Sequence, residues 1–146
     1  MSSGILGTRA GLVADVNLLV QVLLLAVLIF GALQARRGIR DTHQWLMTGA
    51  VIINAAAIIL VMNPSFFRAL PSALRDPGSL RSMLLWPHMI VGVLAELMGV
   101  YIAIRTRVEA SGPAGWRAAI PTMVVTWFLW VLAAAVGMGL YVVWYV

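Results

Sequence analysis

Three side chains in this 146-residue chain could carry chemistry inside an otherwise apolar sequence: His43, His88 and Glu96. His43 and His88 are the only histidines, and neutral imidazole is the commonest protein ligand for metal ions and haem iron. Glu96 lies within a long apolar run, where an ionisable side chain costs at least about 2.5 kcal/mol and needs a partner. Its chemistry would be proton transfer or quinone binding. The alternative is a packing role, with the carboxyl group hydrogen-bonded to Asn54, Gln21 or a backbone carbonyl.

Small residues follow His88 at helical spacing. Gly92, Ala95 and Gly99 share a helix face with it and predict a shallow groove, which suits a flat porphyrin or the close approach of another helix. When the small residues are considered without His88, helix packing explains them. The presence of the histidine favours a haem site. The candidate partners of His88 are Asp15, Asn17, Met62, Asn63 and Tyr141. Of these, Met62 would complete an axial pair on haem b.

The two histidines are predicted not to share a metal ion. Consecutive spans run antiparallel, which places His43 and His88 toward opposite membrane faces, about 20 Å apart at ~1.5 Å rise per residue. A shared ion would need both ring nitrogens within about 4 Å, twice a bond of about 2 Å. Each histidine therefore needs its own partner, and the candidates for His43 are Gln34, Thr122 and Met123.

The elements that position these residues are membrane-spanning helices. Hydrophobic residues make up 62 % of the chain and charged residues 10 %, with a mean hydropathy of +0.98, whereas a soluble domain carries about 25 % charged residues. A spanning helix needs about 20 apolar residues. The length therefore predicts one all-α domain, an integral membrane four-helix bundle with up-down-up-down topology. The predicted spans are about 16–33, 45–62, 83–104 and 118–146.

The segments between the spans contain helix-breaking residues. Residues 63–82 are predicted to form an interfacial loop with short helical turns, since they include Pro64, Pro71, Pro77 and Gly78. Pro87 lies near the predicted start of the third span, where a missing backbone donor costs little. The last connection is predicted to turn at Ser111, Gly112, Pro113 and Gly115. The stretch before the first span lacks the basic region and cleavage site of a signal peptide.

All ten basic residues are arginines, and they lie singly or in threes between the apolar runs. This distribution indicates membrane-topology signals and argues against a nucleic-acid partner. Six arginines flank one predicted face and four the other, which favours both termini outside a bacterial or archaeal plasma membrane. The expected partners are membrane lipid and other membrane subunits or a second copy. Tryptophans near the predicted span ends are expected to anchor the helices at the headgroups, and these are Trp45, Trp86, Trp116 and Trp144.

Several functional classes are excluded by missing residues. The chain has no cysteine, which rules out disulfides, iron–sulfur ligation, thiol catalysis and covalent c-type haem. A nucleotide-binding loop, a metalloprotease histidine pair or a hydrolase triad cannot be assembled from the sequence. Catalytic activity is therefore not expected of this chain alone. The broken helices and paired repeats of transporters are also lacking.

A set of residues spread over nearly the whole chain follows the order of a known family. The set comprises Asn17, Gln21, the Arg36–Arg40 connection, His43, Leu46, Met47, Pro87, His88, Gly92, Arg117, Pro121 and Tyr141. On these residues the chain resembles domain-of-unknown-function family 420, small four-span bacterial membrane proteins associated with the assembly of haem-copper cytochrome oxidases. The resemblance implies a haem or copper connection through His43 and His88. Family members usually carry further histidines where this chain has Asn63, Pro64, Ser65, Pro113 and Trp116.

Three functions stay open at this point. The leading hypothesis is a redox-associated protein that binds haem b, or alternatively copper, for electron transfer or oxidase assembly. The second is a non-catalytic subunit or anchor of a larger membrane complex. The third is a quinone-site or proton-handling protein that uses Glu96 and Asn54. The residues expected at the cofactor are His88, His43, Met62, Gly92 and Gly99.

Overall fold

The computed structural model describes residues 4–108 and 113–146 and consists of helices joined by short connections. The helices are α1 (Leu12–Arg36), α2 (Arg40–Ala57), a π-helical segment (Ile58–Met62), α3 (Asn63–Arg75), α4 (Leu80–Val108) and α5 (Pro113–Tyr145). The π segment joins α2 to α3 in one rod of 36 residues, Arg40–Arg75. The described chain therefore has four helical rods, each long and apolar enough to cross a membrane. The expectation of an all-α four-helix bundle is confirmed.

Contacts between the ends of the rods give the topology. Tyr141, late in α5, hydrogen-bonds Asp15, early in α1, whereas His43, early in α2, hydrogen-bonds Gly31, late in α1. Arg107 at the end of α4 reaches Thr48 near the start of α2. Neighbouring rods are thus antiparallel, in the order α1, α2, α4, α5 around the bundle. We call the end with the α1–α2 and α4–α5 connections the His43 end, and the opposite end the His88 end.

The interior of the bundle is narrow and built partly from small side chains. The central buried cluster contains Leu24, Leu28, Ala50, Val51, Ala95 and Trp130. Alanines at this depth allow the rods to approach closely, as membrane helix interfaces require. Large apolar side chains face outward instead, such as Leu23 at 64 % and Leu60 at 74 % exposure. The exposed apolar surface indicates contact with lipid, so the chain is a multi-pass membrane protein.

Turn chemistry fixes the helix ends. Gly38 has a positive φ of 78°, and the amide of Ile39 beyond it donates to the Gln34 carbonyl at 3.0 Å. A glycine adopts this left-handed conformation at little cost, so it ends α1 and lets α2 start at once. Before α4, the Ser79 hydroxyl oxygen accepts from the Ser82 amide at 3.3 Å, which caps the new helix.

The predicted loop over residues 63–82 is wrong for most of its length, because Asn63–Arg75 form helix α3. Pro64 lacks an amide hydrogen and cannot bond to the carbonyl four residues earlier. The chain accommodates it by widening the preceding turn, where the Asn63 amide donates to the Ile58 carbonyl five residues back. The π segment thus accommodates Pro64, and the helix continues past it.

Two smaller expectations also need correction. Helix α4 begins at Leu80, so Pro87 lies two turns inside the helix and not near its start. Trp116 is not an interfacial anchor, because it is 7 % exposed and packs edge-to-face on His43 with ring centroids 5.6 Å apart. Of the predicted turn near residue 113, Ser111 and Gly112 lie outside the described residues, whereas Pro113 and Gly115 belong to α5.

Candidate functional site

His88 lies on α4 against α5, where a glycine makes room for its ring. Its Nδ1 lies 3.0 Å from the Ala133 carbonyl oxygen. Because a carbonyl only accepts, Nδ1 of the neutral ring carries the proton and Nε2 keeps its lone pair. Nε2 makes no hydrogen bond within the described residues. A Cβ on Gly137 would lie 2.7 Å from His88 Cε1, so the glycine is needed for the ring to pack there.

Two cavities border His88. The smaller, of about 60 Å³, lies toward the bundle centre, and the larger, of about 140 Å³, lies toward the His88 end. The residues that line both are Gln21, Met62, His88, Met89 and Ala134. His88 and Met62 thus line the same spaces, and their pairing on a haem stays a prediction.

These cavities are small for a haem group. Sites for drug-sized ligands occupy about 300–1,000 Å³, whereas the two spaces at His88 measure about 60 and 140 Å³. The predicted groove of small residues is also filled in part. A Cβ on Gly99 would lie 3.1 Å from Val51 and 3.4 Å from Trp130, so Gly99 serves helix packing. Gly92, with nothing within 4 Å of such a Cβ, and Ala95 both line the smaller cavity.

A chain of three polar side chains crosses the bundle beside the smaller cavity. Gln21 Nε2 donates to Asn54 Oδ1 at 3.1 Å, and Asn54 Nδ2 donates to Glu96 Oε2 at 2.8 Å. The expectation that Glu96 bonds to Asn54 is confirmed. Glu96 Oε1 is buried and has no partner among the described residues. The chain therefore links α1, α2 and α4 and ends in a carboxyl oxygen that can still give or take a proton.

His43 occupies a packed site at the other end. Its Nδ1 lies 2.8 Å from the Gly31 carbonyl oxygen, and the residue is 9 % exposed. The candidates Gln34, Thr122 and Met123 are not its hydrogen-bond partners. Arg40 covers the outer face of the neighbouring Trp116, with its guanidinium carbon 5.5 Å from the ring centroid. Neither cavity at His88 extends to this histidine.

The two histidines lie far apart, as predicted. His43 is level with Trp116 and His88 with Ala133, which are separated along α5 by about 25 Å at ~1.5 Å per residue. Within the described residues, no group of three or more His, Asp or Glu side chains could hold a metal ion. Any metal at His88 therefore needs donors of another type.

Asp15 belongs to a structural cluster and is not the hydrogen-bond partner of His88. Its carboxylate is fully buried, accepts from the Tyr141 hydroxyl, and accepts from the Leu6 amide at 2.9 Å. The Tyr141 oxygen in turn contacts the Thr8 hydroxyl at 2.8 Å. The Arg9 amide donates to the Tyr145 carbonyl at 3.0 Å. These bonds fold the segment before α1 over the His88 end of the bundle.

Sequence reasoning missed part of the surroundings of His88. Met89 and Met138 line the larger cavity, and neither was named as a candidate. Met89 follows His88 directly in the sequence, and this adjacency could have identified it as a candidate. Met138 lies one residue after Gly137 on another helix, and only the packing of α4 on α5 brings it to the same space.

A scan against models of protein families, a search of curated protein sequences and a search of solved structures each found no match. The resemblance to family 420 stays a prediction from the residues that carry it.

Proposed function

We propose that this protein is a membrane component of respiratory redox chemistry that holds a copper ion at His88. The observation that carries the proposal is the state of the imidazole: Nδ1 is bound to the Ala133 carbonyl, Nε2 makes no hydrogen bond among the described residues, and His88 lines two cavities. Histidines that bind metals almost always donate their other ring N–H to a carbonyl or carboxylate, which fixes the ring. His88 has this second contact already.

Copper fits the space better than haem b does. A single ion with one imidazole needs only the room that the cavities of about 60 and 140 Å³ supply. Imidazole is a good ligand for copper, and copper lies at the top of the affinity order for divalent metals. The respiratory context, as oxidase assembly or electron transfer, comes from the resemblance to family 420 alone.

Orientation and partners complete the proposal. The arginines at the His43 end are Arg36, Arg37, Arg40, Arg105, Arg107 and Arg117, against Arg9, Arg68, Arg75 and Arg81 at the other. Retained loops are enriched in basic residues, so we place the His43 end in the cytoplasm and both termini outside a prokaryotic plasma membrane. The site at His88 then lies toward the outer face. The apolar surface of α5 then contacts lipid, other subunits or a second copy.

A second candidate function, proton handling or quinone binding at Glu96, is favoured by one observation. The unpaired Glu96 Oε1 ends a hydrogen-bonded chain whose other end, Gln21, borders both cavities. Intramembrane carboxyl groups of this kind commonly form proton relays. This function predicts that Glu96→Gln impairs turnover in the native membrane while metal content is unchanged.

Metal analysis of the purified protein tests the leading proposal. The wild type, His88→Gln and His43→Gln are purified in mild detergent from copper-supplemented membranes and analysed for copper per chain. Oxidised and dithionite-reduced absorption spectra with pyridine haemochrome quantification are recorded on the same samples. We expect copper in the wild type and His43→Gln, and its loss in His88→Gln.

Other outcomes discriminate between the remaining functions. A stoichiometric Soret band that is lost in His88→Gln would show that His88 holds haem and not copper. A wild type with neither copper nor a Soret band would contradict a redox site, and a packing subunit would be the better account. Equal copper loss in both histidine variants would place the ion elsewhere.

A further inference from the structure

The larger cavity at His88 is lined by an unusual share of the sulfur in this protein. Three of the eight methionines, Met62, Met89 and Met138, form part of its wall together with His88. They come from three different elements, since Met62 ends the π segment, Met89 lies on α4 and Met138 lies on α5. The three methionines are therefore not neighbours on one helix, and the packing of three elements brings them to the same cavity.

Among the described residues, no charged side chain lines this cavity; besides His88 and the three methionines, its polar lining residues are the neutral Asn17, Gln21, Ser65, Tyr141, Trp144 and Tyr145. A thioether sulfur and a neutral imidazole nitrogen are uncharged donors, and thioethers prefer soft metal ions. Hard cations such as Mg²⁺ and Ca²⁺ are usually held by one or more carboxylates, and no carboxylate lines this cavity within the described residues. Zinc sites take Cys, His, Asp or Glu ligands, and the described residues contain no cluster of these. Among common biological metals, this leaves Cu(I).

We propose that this cavity is a Cu(I) site, in which His88 Nε2 and the thioethers of Met62, Met89 and Met138 are the ligands. The inference rests on the proposed function, that His88 binds copper, and adds the oxidation state and the sulfur donors. Neutral ligands leave the charge of the ion uncompensated, and buried charge is costly in a membrane. The single charge of Cu(I) costs less there than the double charge of Cu(II).

The π segment contributes to the site. It places Met62 and its neighbour Val61 on the cavity wall, two and three residues before Pro64. Such widened turns are frequent at functional sites because they redirect side chains without ending the helix. The cavity also reaches Tyr141 and Tyr145 in the last turns of α5. The ion would therefore enter from the His88 end of the bundle.

The test is an anaerobic titration of the purified full-length protein with Cu(I), in competition with a chromogenic Cu(I) chelator. The variants are His88→Gln and the double variant Met89→Leu/Met138→Leu, in which leucine keeps the volume but removes sulfur. The matched control is Met83→Leu/Met123→Leu, which changes one methionine of α4 and one of α5 that do not line the cavity. X-ray absorption at the copper edge of the loaded wild type reports which atoms are bonded to the ion.

We expect one Cu(I) per wild-type chain, with sulfur atoms bonded to copper. The double cavity variant and His88→Gln should each bind at least roughly tenfold more weakly, as expected for lost metal contacts. The control pair should bind like the wild type, and zinc should not compete.

The two proposals fail in different ways. If His88→Gln loses copper but Met89→Leu/Met138→Leu binds as tightly as the wild type, the thioether site is overturned and the His88 site stands. If the wild type binds no Cu(I), both are overturned. Should the double variant fail to fold, the X-ray absorption spectrum of the copper-loaded wild type decides. Copper bonded only to nitrogen or oxygen would contradict the inference.

Discussion

The two histidines make the same hydrogen bond in different surroundings. His43 Nδ1 lies 2.8 Å from the Gly31 carbonyl and His88 Nδ1 lies 3.0 Å from the Ala133 carbonyl, each on the neighbouring helix. The ring of His43 is then closed in by Trp116. His88 instead borders two cavities of about 60 and 140 Å³. The hydrogen bond fixes the ring in both places, and only the surrounding space differs.

An oriented imidazole is therefore not by itself a ligand. At the His43 end, the buried ring fills space between α1, α2 and α5, as an apolar side chain of its size would. At the His88 end, the same orientation leaves Nε2 without a hydrogen bond among the described residues, and His88 lines a cavity together with three methionines. The comparison therefore supports a stabilising role for His43 and, under the proposed function, a binding role for His88.

The largest expected effect is on stability at His43. His43→Ala removes a ring that Trp116 packs against and leaves a closed void, at a cost of about 2–3 kcal/mol. His88→Ala enlarges a space that already exists, so we expect a cost of about 1 kcal/mol or less. Unfolding of both variants by SDS titration, followed by tryptophan fluorescence or circular dichroism, measures the two costs. An equal or greater loss of stability at His88 would reverse the assignment of roles.

A glycine tests the position of the His88 ring. Gly137→Ala places a Cβ 2.7 Å from His88 Cε1, so the ring must move and Cu(I) affinity should fall by roughly tenfold. Gly139→Ala is the matched control two residues away, where nothing lies within 4 Å of the added Cβ. Because alanine favours a helix by about 1 kcal/mol over glycine, neither variant should unfold. Unchanged Cu(I) affinity in Gly137→Ala would show that the ring position is immaterial to binding.

The sequence predicted the helices better than it predicted the cavity. Long apolar runs have one solution in lipid, because every backbone group must be bonded within the segment. That constraint places His43 and His88 at opposite ends and Glu96 next to Asn54. Proline content alone misled the prediction for residues 63–75, since a π turn before Pro64 allows the helix to continue.

The surroundings of His88 could not be read from spacing along one helix. The small-residue face of Gly92, Ala95 and Gly99 predicted a groove, but which face stays open depends on the neighbouring helices. Trp130 of α5 fills the space at Gly99, whereas Gly137 yields space to the imidazole. Such choices depend on the rotation of α5 about its axis, and its nearly uniform apolar sequence does not specify that rotation.

The polar chain between the two ends provides a smaller test. Asn54→Ala leaves Gln21 Nε2 and Glu96 Oε2 without their partner, and buried polar groups in membrane bundles cost about 1 kcal/mol when unpaired. Glu96→Gln keeps an acceptor oxygen for Asn54 and should cost about half as much or less. SDS titration distinguishes the two. If both variants match the wild type, the chain contributes nothing to stability, and the proton-handling role of Glu96 gains weight.

The smallest effect is expected at the cover of the His88 end. The Tyr141 hydroxyl joins Asp15 to Thr8 and so holds the segment before α1 over the bundle. Tyr141→Phe removes this link but keeps the ring, and the Leu6 amide still bonds to Asp15. Loss of one hydrogen bond should raise the population of the detached segment by roughly 2- to 10-fold.

Trypsin cleavage after Arg9 in detergent should accelerate by that factor. Tyr101→Phe is the control, since its hydroxyl accepts from Arg105 at 3.3 Å in an exposed contact far from the segment, and this variant should be cut at the wild-type rate. Equal rates in all three proteins would mean that the carboxylate of Asp15 holds the segment without the tyrosine. The cover would then be independent of α5, and Cu(I) entry past Tyr141 would not require the segment to move.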